Sequence, residues 1–93
     1  MSRPPGERPN YTVQFKASAK KDIAALPTDV KLAVTKRIDA LAEEPRPNGC
    51  QKIKGAEDAY RVRSGDYRIV YEIHDDVVSV TVIRVGHRRE VYR

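Results

Sequence analysis

The sequence predicts an α+β domain: an antiparallel sheet of about four strands with an αα-hairpin packed on one face, in the order βααβββ. Three observations predict it. YTVQF (11–15) alternates apolar and polar residues with period two. Two stretches with apolar residues at helical spacing follow, divided by Pro27. Three alternating stretches, 60–63, 67–73 and 77–85, complete the pattern. Period two marks strands and a three-to-four spacing marks helices, and strands joined by short turns pair antiparallel. Ninety-three residues, 40% of them hydrophobic, suit one core. We expect residues 1–9, rich in proline, arginine and glycine, to form a flexible tail and 10–93 a single domain.

Each element has its own warrant. Ser18 is placed to cap a short helix whose inner face carries Ile23 and Leu26 and which Pro27 stops. Thr28 is placed to cap a longer helix, with Asp29 in its first turn and the stripe Val30, Val34, Ile38, Leu41 facing a core. That helix ends before Pro45. Residues 44–58 read as irregular, with Pro45, Pro47, Gly49 and Gly55, and Lys52-Ile-Lys54 as a brief strand within them. His74-Asp75-Asp76 is the turn before the last strand, its aspartates turn formers and not metal ligands.

The charge is uneven. Eighteen Lys+Arg against thirteen Asp+Glu give a net +5, which favours polyanions or an acidic protein partner. All seven lysines precede residue 55, and from residue 61 onward every Lys or Arg is arginine. Guanidinium forks suit phosphate. Cys50 is the single cysteine, which excludes an internal disulfide and a multi-cysteine metal site. The sequence has no apolar run of membrane-spanning length, and MSRPPGERPN lacks the apolar stretch of a signal peptide, so we expect a cytoplasmic location.

The stretch YRVRSGDYRIVY (60–71) reads as a hairpin, and its apolar pattern chooses the register. A three-residue loop would pair Arg63 with Tyr67 and scatter the apolar residues over both faces. A two-residue loop, Gly65-Asp66, pairs Ser64 with Tyr67 and Arg63 with Arg68. Tyr60, Val62, Tyr67, Ile69 and Tyr71 then share one face. Glycine at the first loop position suits a type II′ turn. Arg61, Arg63 and Arg68 consequently leave the opposite face, two of them opposed. Like charges across a sheet destabilise it, whereas an anion between them turns repulsion into binding. Arg84 extends the same sign along the last strand.

After the last strand comes GHRREVYR (86–93). A histidine's ordinary pKa near ~6.5 suits acid–base chemistry, and Tyr92 offers a face for a nucleobase. With the short helix, the EEP that follows the long helix, KIKG, GDYRIVYEI and VGHRREVY in this order, the chain from about residue 11 to 92 resembles the RelE toxins of bacterial toxin–antitoxin pairs.

The resemblance implies a ribosome-dependent endoribonuclease that cuts translated mRNA in the A site. No metal or cofactor is implied: the ribose 2′-hydroxyl attacks its own phosphate and leaves a 2′,3′-cyclic phosphate. By resemblance the catalytic set is Arg61, Arg63, Arg68, His87, Arg88 and Tyr92. Arg68 stabilises the scissile phosphate, Arg88 the leaving group, and Tyr92 the substrate base. Arg61, Arg63, Arg84 and Arg89 bind RNA. Implied partners are a RelB-like antitoxin, the ribosome and mRNA. Lysines stand at the positions of Arg61 and Arg63 in the best-known form, and the hairpin turn here is shorter. Arginine stays charged above pH ~12 and cannot serve as the base. The candidates for that role are His87, Glu72, Glu57 and ribosomal groups. Two alternatives stand beside this reading. One is a toxin of the ParE group, which acts on DNA gyrase. The other is a decayed toxin that only binds nucleic acid or antitoxin.

Overall fold

The computed structural model describes residues 10–87. Its elements are β1 (Thr12–Phe15), α1 (Ala17–Ala24), α2 (Thr28–Leu41), β2 (Gln51–Lys52), β3 (Ala59–Ser64), β4 (Tyr67–His74) and β5 (Ser79–His87). They form one sheet in the order β1-β5-β4-β3-β2 with both helices against one face. The α+β class and the order of the main elements are those expected. Two features differ: the sheet has five strands, and it is mixed, because β1 runs parallel to β5. The short β3–β4 and β4–β5 turns make those pairs antiparallel. The direction of β1 depends instead on where the long excursion through α1, α2 and β2 returns, which local pattern does not encode.

The core is built on one face of the sheet. Val62 on β3, Ile69, Tyr71 and Ile73 on β4, and Val80, Val82 and Val85 on β5 are buried against Val34, Ile38 and Leu41 of α2 and Ala19 of α1. Val30, the first residue of the expected stripe, packs partly buried beside them, as do Ile23 and Leu26. Burying a side chain of this size contributes roughly 1.5–3 kcal/mol, so this face dictates the register.

The buried residues of β5 step from Val80 to Val82 and then to Val85. The odd step is a β-bulge: Val70 pairs with Arg84 but Tyr71 with Val82, which leaves Ile83 extra. Without the bulge Arg84 would enter the core. With it Arg84 turns outward and Val85 inward.

Helix α1 closes the outer edge of β5 where β1 ends. The Lys16 amide donates to the Val82 carbonyl (2.9 Å), the Ser18 hydroxyl to the Ile83 carbonyl (2.7 Å), and the Val85 amide to Asp22 Oδ2 (2.9 Å). Unpaired strand-edge groups are thereby satisfied. Ser18 therefore serves the sheet and not its own helix, whose N-cap position belongs to Lys16. Likewise Pro27, not Thr28, occupies the N-cap of α2, and neither helix has a side-chain cap. Proline supplies the extended φ of that position without a capping oxygen.

The irregular stretch before β3 is pinned at the end of the sheet away from the β3–β4 turn. Arg46 lies over the Tyr60 ring (5.2 Å to its centroid) and pairs with Asp75 at 2.9 Å, while the Tyr11 hydroxyl donates to the same carboxylate at 2.7 Å. The buried Tyr71 hydroxyl donates to the Pro45 carbonyl (2.7 Å). Asp75 is thus an anchor as well as a turn residue. The hydrogen bond from Arg46 holds its carboxyl below the usual carboxylate range, and burial pushes the Tyr71 phenol well above its ordinary value. No helix among the described residues is long and apolar enough to cross a membrane.

Candidate functional site

The β3–β4 hairpin has the register that its apolar pattern dictates. Ser64 pairs with Tyr67, Arg63 with Arg68, Val62 with Ile69 and Tyr60 with Tyr71. Gly65 has φ +61 and Asp66 is not in the left-handed region, as a type II′ turn requires. Arg61, Arg63 and Arg68 therefore leave the face opposite the helices. Gly86 stands across from Arg68 on β5, so Arg68 has a cationic neighbour on one side and no side chain directly opposite on the other.

Strand β2 contributes only two residues, pairing Gln51 with Arg61 and Lys52 with Tyr60. Past Arg61 the outer edge of β3 has no strand partner among the described residues, and a cavity of about 310 Å³ opens there. It is lined by Arg37, Gly49, Gln51, Arg61, Val62, Arg63 and Arg68. Gln51 Oε1 accepts a hydrogen bond from Arg61 and fixes that guanidinium along the edge. Arg68 is half-buried, and its Nε is enclosed by protein with no acceptor in reach, while the residue makes other contacts. Arg63 is exposed.

The concentration of charge matters energetically. Two guanidiniums ~6 Å apart repel by about 0.7 kcal/mol in bulk water and by about 3 kcal/mol at the effective dielectric near a protein surface. Among the described residues no carboxylate lines the cavity. An anion seated between Arg63 and Arg68 reverses the sign and gains bidentate, charge-assisted hydrogen bonds.

The remaining expected site residues are dispersed. His87 pairs with Tyr67, not with Arg68, and its ring meets the Tyr67 ring edge-on at 5.7 Å. Both therefore leave the helix-covered side, where a separate hollow is lined by Lys21, Asp22, Leu26, Pro27, Tyr67 and His87 among others. The bulge causes this, because His87 shares the parity of Val85. The structure does not bring His87 to the arginines. Arg84 lies on the arginine face, but its Nε is held by Asp22 at 2.8 Å, which draws it toward α1 and offsets its charge. Glu72 shares the arginine face but lies four residues along β4 from Arg68, ~13 Å away, and its Oε1 meets His74 Nε2 at 3.1 Å. Glu57 is exposed in the loop before β3, at the far end of that strand from Arg63. Arg88, Arg89 and Tyr92 lie outside the described residues. Arg37, absent from the expected set, reaches the cavity from α2 and donates from Nε to the Arg63 carbonyl (3.3 Å).

Known proteins resemble this chain in sequence and fold. Residues 13–92 match the family model described as the ParE toxin of the type II toxin–antitoxin system parDE. The chain is 33% identical over 84 residues to the toxin RelG of Mycobacterium tuberculosis, covering 89% of this chain and 97% of that one. The chain belongs to the RelE/ParE family of type II toxins. To the mRNA interferase toxin RelE of Escherichia coli K12 this family member is 36% identical over 86 residues, covering 88% and 90% of the two chains. Among solved structures it is similar to the RelBE2 toxin–antitoxin complex of M. tuberculosis, with TM-score 0.76, 31% identity and coverage of 85% and 99%. It is also similar to the isolated E. coli RelE toxin, with TM-score 0.74, 35% identity and coverage of 88% and 90%.

Proposed function

We propose that this RelE-family chain is the toxin of a type II pair and an endoribonuclease that cleaves mRNA during translation. The observation that carries the reading is the Arg63–Arg68 pair, which the core register forces together in a cavity with Arg61. Such a cavity holds a phosphodiester. The kinship with a protein named as an mRNA interferase supports RNA as its source.

In this reading the ribose 2′-hydroxyl attacks the neighbouring phosphorus and the 5′-oxygen departs, leaving a 2′,3′-cyclic phosphate. Negative charge grows on the non-bridging oxygens in the transition state. Arg68 and Arg63 offset it at fixed positions, an effect worth about 10²–10³ in rate per donor, and their charge does the work without a metal ion. Arg61, steadied by Gln51, holds the RNA backbone. Arg88 steadies the leaving oxygen and Tyr92 the base. Arginine cannot take the 2′ proton, and among the described residues no carboxylate or imidazole lines the cavity. Proton transfer then falls to the ribosome, which also orients the RNA, and activity without ribosomes is low. His87, on the other side of the sheet, is not the base of this mechanism.

The partner is a RelB-like antitoxin, in keeping with the toxin–antitoxin complexes among similar structures. The matched family model carries the name of ParE, so gyrase inhibition is the competing reading. Purified protein in a cell-free translation reaction, with cuts mapped by primer extension, separates the two. Codon-phased cuts that appear only with ribosomes support the nuclease. Intact mRNA with blocked DNA supercoiling supports the other reading.

A further inference from the structure

We propose that Arg37 is a phosphate-binding residue of this site, contributed by α2, which holds the RNA phosphate next to the one cleaved. The inference rests on the nuclease reading for its ligand and on the cavity for its geometry. Arg37 precedes the buried Ile38, and Val34 and Leu41 lie three and four residues away on the same helix. Its stem consequently runs beside the core stripe, and the half-buried side chain emerges at the edge of the sheet. The two-residue β2 leaves the Arg63 carbonyl without a strand partner among the described residues, and Arg37 Nε donates to it at 3.3 Å.

That bond uses one of the five guanidinium N–H groups. Among the described residues the Arg37 side chain makes no other hydrogen bond and no ion pair. The other four N–H groups belong to a fork whose Nε is anchored at the cavity that Arg37 lines with Arg61, Arg63 and Arg68. Satisfying one carbonyl does not require a permanent cation, and a fourth positive charge beside three others raises the repulsion already present. A polyanion makes that arrangement favourable. Arg68 on β4, Arg63 on β3 and Arg37 beyond the β3 edge form a row across the sheet, with strands ~4.8 Å apart. Successive phosphates of one RNA strand pass along such a row, so Arg37 meets a phosphate beside the one held by Arg63 and Arg68.

The test uses a single-stranded RNA made uncleavable by 2′-deoxy substitution at the cut position. Its binding is followed by fluorescence anisotropy over a salt series, with wild type, Arg37→Gln and Arg37→Lys. Each phosphate contact adds about 0.7 to the slope of log K against log salt for a single strand. Arg37→Gln is expected to lower that slope by about 0.7 and to weaken binding several-fold at low salt, whereas Arg37→Lys keeps most of it. In ribosome-dependent cleavage Arg37→Gln should raise KM with little change in kcat. An unchanged slope in a folded Arg37→Gln protein overturns the proposal. So does an Arg37→Lys variant as weak as Arg37→Gln, since Arg37 would then act only by holding the Arg63 carbonyl. The binding readout is independent of turnover. Loss of slope in a protein that cuts no mRNA would keep the contact and remove the nuclease reading.

Discussion

Arg63 and Arg68 stand directly opposite one another on β3 and β4, on the face of the sheet away from α1 and α2. The core-facing pairs farther from the turn, Val62 with Ile69 and Tyr60 with Tyr71, hold them there. A one-residue slip would carry the whole apolar set out of the core. The hydrophobic core thus maintains a repulsive contact that the empty protein gains nothing from.

Stability and activity should therefore respond to Arg63 with opposite signs. Arg63 is exposed, and its side chain makes no hydrogen bond or ion pair among the described residues. Arg63→Gln is expected to leave stability within about 0.5 kcal/mol of wild type, or to raise it by relief of repulsion. Ribosome-dependent cleavage should fall by about 10²-fold. Thermal unfolding and cleavage kinetics on one preparation check both halves. A variant that loses stability and activity together would make Arg63 a structural residue.

His87→Ala should retain cleavage within a few-fold of wild type, because the β4–β5 register puts the imidazole beside Tyr67 on the helix side. A loss of 10²-fold or more, measured by primer extension with the melting temperature unchanged, would return proton transfer to this histidine.

How much of this was legible in the sequence depends on which pattern carried the information. The Arg63–Arg68 register was readable, since the alternation of Tyr60, Val62, Tyr67, Ile69 and Tyr71 admits one two-residue loop. The face of His87 was also encoded, in the broken parity of Val80, Val82 and Val85, and only a bulge reconciles those three. Reading β5 as unbroken alternation misses it. The parallel pairing of β1 with β5 and the reach of Arg37 to the Arg63 carbonyl had no local signal. Both depend on where distant segments return, and the second on β2 stopping after two residues. Nothing local marks Asp22, which binds the Val85 amide and Arg84 across the domain.

Two titrations bound the stability profile. The Asp75 carboxyl is lowered by hydrogen bonds from Arg46 and Tyr11, so its contribution is present above the unfolded value near ~3.9 and is lost as pH falls through the lower folded value. The Tyr71 phenol is raised by burial. Its contribution is present below the unfolded value near ~10 and disappears as pH rises through the folded one. Chemical denaturation across pH should show Asp75→Asn flattening the acid limb and Tyr71→Phe the alkaline limb. A wild-type acid limb in Asp75→Asn would remove the Arg46 anchor from the account.

Val78 has φ +53 in the turn between β4 and β5, a conformation that costs a β-branched residue roughly 1–2 kcal/mol. Glycine adopts it freely and loses roughly 0.5–1 kcal/mol in entropy. Val78→Gly is therefore expected to be neutral or to stabilise by up to about 1 kcal/mol, read as the midpoint of urea unfolding. Destabilisation beyond about 1 kcal/mol would mean that side-chain packing at Val78 outweighs the backbone term.

The measurement closest to the central claim is cleavage of translated mRNA by Arg68→Ala, mapped by primer extension beside wild type at equal folded concentration. With Arg68 removed, the scissile phosphate loses the guanidinium set between Arg63 and Gly86, and codon-phased cuts should vanish while the protein still unfolds cooperatively. Cuts of wild-type intensity from that variant would contradict the assignment of this arginine face as the nuclease site.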